Sequence, residues 1–147
     1  MDLRDYRHMP PVAAAMTPFP YHVRTDDPIS AVERLMEEHG IRHVPVQDGG
    51  RVVGIITERD LHHLVNPALP QRDRDRIRAR DVLVPDPYVV EMSAPLDLVV
   101  AEMSRRQIGS AIVVRQQRLA GILSVTDVCR VLAEILRQRF PGGDDAA

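Results

Sequence analysis

Two short stretches of the chain carry the side chains with the most chemical reach. They are GIITERD at residues 54–60 and GILSVTD at residues 121–127. Each sets a hydroxyl three residues ahead of a carboxylate: Thr57 before Asp60, and Ser124 before Asp127. That spacing suits two kinds of chemistry. In the first, the hydroxyl caps a helix by accepting from a free N–H while the acid bonds back to the cap. In the second, the acid accepts from the vicinal hydroxyls of a ribose, as it does in dinucleotide folds. The hydroxyl and the helix N-terminus then meet a phosphate. Arg59 would add a charge-assisted contact to that phosphate. Its counterpart is Thr126, so the two corners are not equal as anion sites.

Each stretch must run from a strand into a helix for either chemistry to operate. Gly54 and Gly121 leave room for something to approach the strand closely. The rest of the chain is arranged around the same pair. Sliding the sequence by 67 residues aligns 16–64 with 83–131 without a gap, with 13 identities in 49 positions. Among them are Pro18/Pro85, Tyr21/Tyr88, Pro28/Pro95, Met36/Met103, Ile41/Ile108, Gly54/Gly121 and Asp60/Asp127. The reading is two homologous units, 9–67 and 76–138, joined by a linker at 68–75. A unit of this size has a thin core, so the two are expected to share an interface.

Within the first unit a short extended piece precedes a helix capped by Asp27, with Pro28 in its first turn. Ile29, Val32, Leu35 and Met36 form its apolar face, and Gly40 ends it. IRHVPV reads as a strand that Pro45 places at an edge or interrupts. Gln47-Asp48-Gly49-Gly50 is a hairpin turn, and Val52–Ile56 the returning strand. Thr57 opens a helix bearing Leu61, Leu64 and Val65. The second unit repeats this order, with Gln116-Gln117 at the turn. Its last helix carries Val128, Val131, Leu132, Ile135 and Leu136. The fold class is therefore α+β, two tandem β–α–β–β–α repeats. The polar connector between them, rich in alternating Arg and Asp, reads as solvated with a short helix starting near Ile77.

Composition narrows the function. The chain has 147 residues, 44% of them apolar and 27% charged, enough to bury a core. Its 19 basic residues, all Arg, face 21 acidic ones, for a net charge of -2. That balance points to neither a nucleic acid nor a membrane surface. Aromatic residues are only 3%, too few for stacking platforms. There is no apolar run of about 18 residues and no secretory leader pattern, so a cytoplasmic location is expected. Cys129 is the sole cysteine, which excludes an internal disulfide, and it reads as a small buried filler.

Taken together, these features resemble the CBS-domain family, in the form of a tandem pair or Bateman module. The resemblance rests on Met16-Thr17-Pro18, IRHVPV, QDGGRVVG and GIITERD, and in the second copy on Leu83-Val84-Pro85, IGSAIVV, QQRLAG and GILSVTD. It implies two repeats packed as a pseudo-twofold pair with a cleft on either side. It also implies an adenosine-containing regulatory ligand: AMP, ADP, ATP or S-adenosylmethionine. Asp60 and Asp127 would hold ribose, and Thr57 and Ser124 phosphate. Thr17, His43 and Val44 would line the first cleft, and Val84, Ser110 and Ala111 the second. Family members commonly form dimers of pairs, so a homodimer is expected, along with a separate effector protein to receive the signal. Val84 in place of the opening Thr, and Thr126 in place of Arg59, imply that one cleft binds more weakly or prefers a different ligand.

No enzymatic machinery is expected. The six histidines form no zinc-ligand pattern, so no metal site is expected either. Ser110 lacks a nucleophile-elbow frame, and Cys129 has no sequence-local base. A DNA-binding regulator would need a reading helix or a one-sided basic patch. The competing reading is a structural or interaction protein, in which the Thr/Ser–Asp pairs only cap helices and the pair serves dimerisation or scaffolding.

Overall fold

The computed structural model describes residues 3–142. A two-residue strand, β1 (Thr17–Pro18), precedes β2 (Val23–Arg24), α1 (Ile29–His39), β3 (His43–Asp48), β4 (Arg51–Thr57) and α2 (Glu58–Leu64). The connector forms α3 (Gln71–Arg74) and α4 (Ala79–Val82). The order then recurs as β5 (Val84–Pro85), β6 (Val89–Glu91), α5 (Leu96–Arg106), β7 (Ser110–Arg115), β8 (Arg118–Ser124) and α6 (Val125–Arg139). Both expected β–α–β–β–α runs are present.

The strands form two four-stranded sheets, in the orders β2-β3-β4-β5 and β1-β8-β7-β6. Each opening strand has therefore crossed into the other repeat's sheet. Thr17 and Pro18 pair antiparallel with Ile122 and Gly121, while Val84 and Pro85 pair with Ile55 and Gly54. The glycines permit this crossing. A Cβ on Gly54 would lie 2.8 Å from Val84 O and 2.7 Å from Leu83 Cδ1, and one on Gly121 would lie 3.0 Å from Thr17 O. What approaches each motif glycine is thus the exchanged strand itself.

Alternation along the inner strands explains their continuous apolar runs. Val44, Val46 and Ile56 face α1 and α2 in one core; Ala111, Val113 and Leu123 face α5 and α6 in another. The opposite faces supply Ile55, Ile112 and Val114 to a third cluster that joins the repeats. A sheet buried on both faces needs apolar residues at successive positions. Each Val, Leu or Ile among them contributes roughly 1.5–3 kcal/mol when fully buried.

The turns follow their chemistry. α1 ends at Gly40 with φ 62°, and the first hairpin turns through Gly49 and Gly50 at φ 56° and 82°. The second repeat reaches the same conformations without glycine: Gln107 closes α5 at φ 55°, and Gln116 and Gln117 turn the hairpin at φ 51° and 67°. Aromatic packing repeats as well. Tyr21 stacks on His39 at 3.7 Å between ring centroids, and Arg106 sits 4.6 Å above the ring of Tyr88.

Several expectations are corrected. Asp27 does not cap α1. Its carboxylate accepts from Arg24 N at 2.7 Å, and the first free N–H of the helix, at Ile29, donates to Ile77 O at 2.9 Å. The connector is accordingly docked rather than simply solvated. Arg74 pairs with Glu33 at 2.6 Å, and Ala79 and Val82 enter the first core. Pro45 lies inside the sheet, in β3 between β2 and β4. β2 is so short that its pairing begins at Val46, one residue past the proline, so no ladder bond is demanded of the missing N–H.

Cys129 is exposed, not a buried filler. On α6 the inward positions are Asp127 and Val131, which turns Cys129 outward with Val125, Leu132, Leu136 and Phe140. Leu132, Ile135 and Leu136 of the expected apolar stripe are therefore open to solvent. The Gly- and Asp-rich tail from Pro141, whose composition predicts fraying, lies mostly outside the described residues.

Candidate functional site

The two strand-to-helix corners share their geometry only in part. At the first, Thr57 ends β4 in extended conformation and caps α2. Its Oγ1 accepts from Asp60 N at 3.1 Å and donates to Asp60 Oδ2 at 2.7 Å. Among the described residues nothing donates to Asp60 Oδ1, and Asp60 is half-buried. Arg59 is exposed beside it.

At the second corner Ser124 caps α6, and its Oγ accepts from Asp127 N at 3.3 Å. Asp127 Oδ2 accepts from Ser124 N at 2.9 Å and Ser124 Oγ at 3.0 Å, a complete capping box. Asp127 Oδ1 accepts from Thr17 Oγ1 at 3.1 Å and from Arg130 Nη2 at 3.2 Å. Arg130 Nη2 also reaches Ala15 O at 3.2 Å. The Asp127 carboxylate thus takes four hydrogen bonds, and the residue is only 7% exposed.

His43 lies between the repeats. It faces Thr57 in register across the hairpin, and a Cβ on Gly109 would be 2.8 Å from its Nε2. Burial holds its pKa below the usual imidazole value, with the charge of Arg42 acting in the same direction and Asp60 opposing both. Ser110, its counterpart, is buried opposite Ser124 in the register of the second hairpin.

The structure regroups the residues expected from the sequence. Thr17 was expected beside His43 and Val44, but strand exchange delivers it to Asp127 of the other repeat. Val84, expected beside Ser110 and Ala111, pairs instead with Ile55 of the first repeat. The side chains of Val44 and Ala111 lie in the two hydrophobic cores. Thr126 is exposed at the second corner, as Arg59 is at the first. Sequence reasoning missed Arg130. The available signal was its position three residues after Asp127 on a helix, where opposite charges meet.

Three cavities lie away from both corners. One of about 570 Å³ sits on the outer side of the first unit, against Glu33, Met36, Arg42, Glu58, Leu61 and Val65. An apolar groove of about 450 Å³ occupies the equivalent place in the second, against Val100, Val128 and Leu132. A third, of about 330 Å³, separates the hairpins near Val52, Val90 and Val114. None of these three is lined by Thr57, Asp60, Ser124 or Asp127. Among the described residues no three His, Cys, Asp or Glu side chains stand together as metal ligands, and no helix is long and apolar enough to cross a membrane.

The family model for the CBS domain matches this chain twice, at residues 12–66 and again at 79–134. The chain belongs to the CBS-domain family, as a tandem pair. It is 32% identical over 107 residues to an inosine-5'-monophosphate dehydrogenase from Korarchaeum cryptofilum, covering 72% of this chain and 21% of that protein. The chain thus corresponds to about a fifth of the enzyme's length. Among solved structures, one described as an acetoin utilization protein (AcuB) from Vibrio cholerae aligns with a TM-score of 0.79 and 26% identity, over 90% of this chain and 96% of that one. The CBS domain pair of protein MJ0100, solved with 5'-methylthioadenosine and S-adenosyl-L-methionine, aligns with a TM-score of 0.73 and 22% identity, over 86% and 98%.

Proposed function

We propose that this chain is a non-catalytic regulatory module that binds an adenosine-containing small molecule at the corner formed by Thr57 and Asp60. The carrying observation is the difference between the two acids. Asp127 is saturated, whereas Asp60 has one protein partner and an oxygen still open to a donor. Vicinal ribose hydroxyls supply two such donors. The exposed Arg59 stands ready for a phosphate where the ligand carries one, and Thr57 would join it by turning its hydroxyl away from Asp60. The bound methylthioadenosine and S-adenosylmethionine of the MJ0100 pair favour an adenosyl group over other nucleosides. AMP, ADP, ATP and S-adenosylmethionine are the ligands to try. A ligand seated between the repeats would shift their arrangement and pass free energy to an effector protein by linkage.

The exposed stripe of α6, with Val125, Leu132, Ile135, Leu136 and Phe140, supports a homodimer built through the second unit. One observation favours the scaffold reading: both acids already bond to the hydroxyls of their own helix caps. Thermal unfolding with each of the four compounds separates the two. A ligand selective for the folded state raises the midpoint, by an amount that grows with concentration. The sensor reading expects that rise in the wild type and its loss in Asp60→Ala. No rise with any of the four leaves the scaffold.

A further inference from the structure

The second corner differs from the first by two donors, one from a distant strand and one from the same helix. Asp127 Oδ1 is held by Thr17, delivered by the exchanged strand, and by Arg130, one helical turn on. Shifted by 67 residues, these positions are Val84 and His63 in the first repeat. Val84 has no donor in its side chain, and His63 is exposed. The asymmetry is therefore written into the sequence and realised in the bonding.

A carboxylate has about four lone-pair sites. All four on Asp127 are taken, two by Ser124, one by Thr17 and one by Arg130. A ribose hydroxyl has nothing left to donate to unless it displaces one of these donors. The guanidinium contact is charge-assisted, and the carboxylate it serves is nearly buried, so a neutral hydroxyl is a poor replacement. Arg130 is also tied to Ala15 O, which anchors the lead segment whose Val12 lies in the second core.

We infer that Arg130 is a resident occupant of the second corner, and that with Thr17 it restricts the pair to one ligand, held at Asp60. This rests on the adenosyl-binding reading of the first corner. Arg130 acts as a specificity-determining cation, and its side chain stands where a ligand would otherwise donate.

The test is calorimetric titration of the full chain with AMP, ADP, ATP and S-adenosylmethionine, reading stoichiometry. The wild type is expected to take one ligand per chain, lost in Asp60→Asn. Arg130→Gln is expected to take two, the second lost in the double variant Arg130→Gln, Asp127→Asn. The reciprocal variant, His63→Arg with Val84→Thr, installs the same donors over Asp60 and is expected to weaken wild-type binding at least about tenfold, or 1.4 kcal/mol. It keeps the test decisive should Arg130→Gln fail to fold. Two ligands on the wild type, one on a folded Arg130→Gln, or unchanged affinity in the reciprocal variant each overturn the occupant role while leaving the adenosyl reading intact. No binding to any of the proteins overturns that reading, and the occupant role with it.

Discussion

Thr17 belongs to the first repeat by sequence and serves the second by structure: its hydroxyl donates to Asp127 across 3.1 Å and 110 residues of chain. The exchange makes each repeat depend on the other for a strand. Thr17→Val keeps the shape and removes the donor, leaving a nearly buried carboxylate one bond short. A hydrogen bond to a charged group is worth about 1.5–3 kcal/mol. Thr17 is itself exposed, so a loss near the low end is expected in urea unfolding. The pseudo-equivalent Val84→Thr adds a hydroxyl near Asp60 and is expected to cost less.

The motif glycines are expected to be intolerant for a reason independent of any ligand. A methyl on Gly54 would press on Val84 O and Leu83 Cδ1, and one on Gly121 on Thr17 O and the Met16 side chain. At Gly54 one of the two obstacles is backbone, which cannot rotate away. Gly54→Ala is expected to destabilise by about 1–3 kcal/mol, the range for overpacking. Thermal unfolding of the unliganded protein measures it. An unchanged midpoint would mean that the exchanged strand moves aside freely.

Much of this was legible in the sequence because it is local or repeated. The shift of 67 residues shows as a repeat, while Gly40 at the end of α1, the Gly49-Gly50 turn and the hydroxyl–acid pairs depend on neighbours within a few positions. The strand exchange was not legible. β1 and β5 are two residues long, and no periodicity can be read from two residues. The cap of α1 escaped for a related reason, since Ile77 O arrives from the connector and displaces the role expected of Asp27. Cys129 was misplaced because Val128, Val131 and Leu132 were read as one inward face, whereas Leu132 points outward. At the site, residue types pointed to the acids, and the Thr17/Val84 and Arg130/His63 differences stood in the sequence, but only the fold shows that Thr17 and Arg130 meet Asp127.

The second hairpin holds a reserve of stability. Gln116 and Gln117 both occupy the left-handed region, where a side chain other than Asn, Asp or Gly is disfavoured. The first hairpin meets the same demand with Gly49 and Gly50. The double substitution Gln116→Asn with Gln117→Gly matches the preference of two-residue turns with φ positive at both positions. A gain of about 1 kcal/mol is expected, of the size seen when a turn residue fits its conformation. Urea midpoints at unchanged slope check it. A loss would show that the glutamine side chains contribute to the turn.

His43 makes stability depend on pH at the junction of the repeats. Its folded pKa lies below the ordinary imidazole value, because burial and Arg42 disfavour the charged ring more than Asp60 favours it. The unfolded chain therefore takes up the proton first as the pH falls. The contribution of neutral His43 is complete above the unfolded value and is lost progressively from about pH 7 down towards the lower folded pKa. Stability of the wild type is expected to fall over that window, and His43→Gln to flatten the dependence. Asp60→Asn removes the one opposing charge, so the His43 ring should titrate lower still when followed by NMR. A ring that titrates higher in Asp60→Asn would contradict the electrostatic coupling between the two residues, and with it the placement of His43 at the first corner.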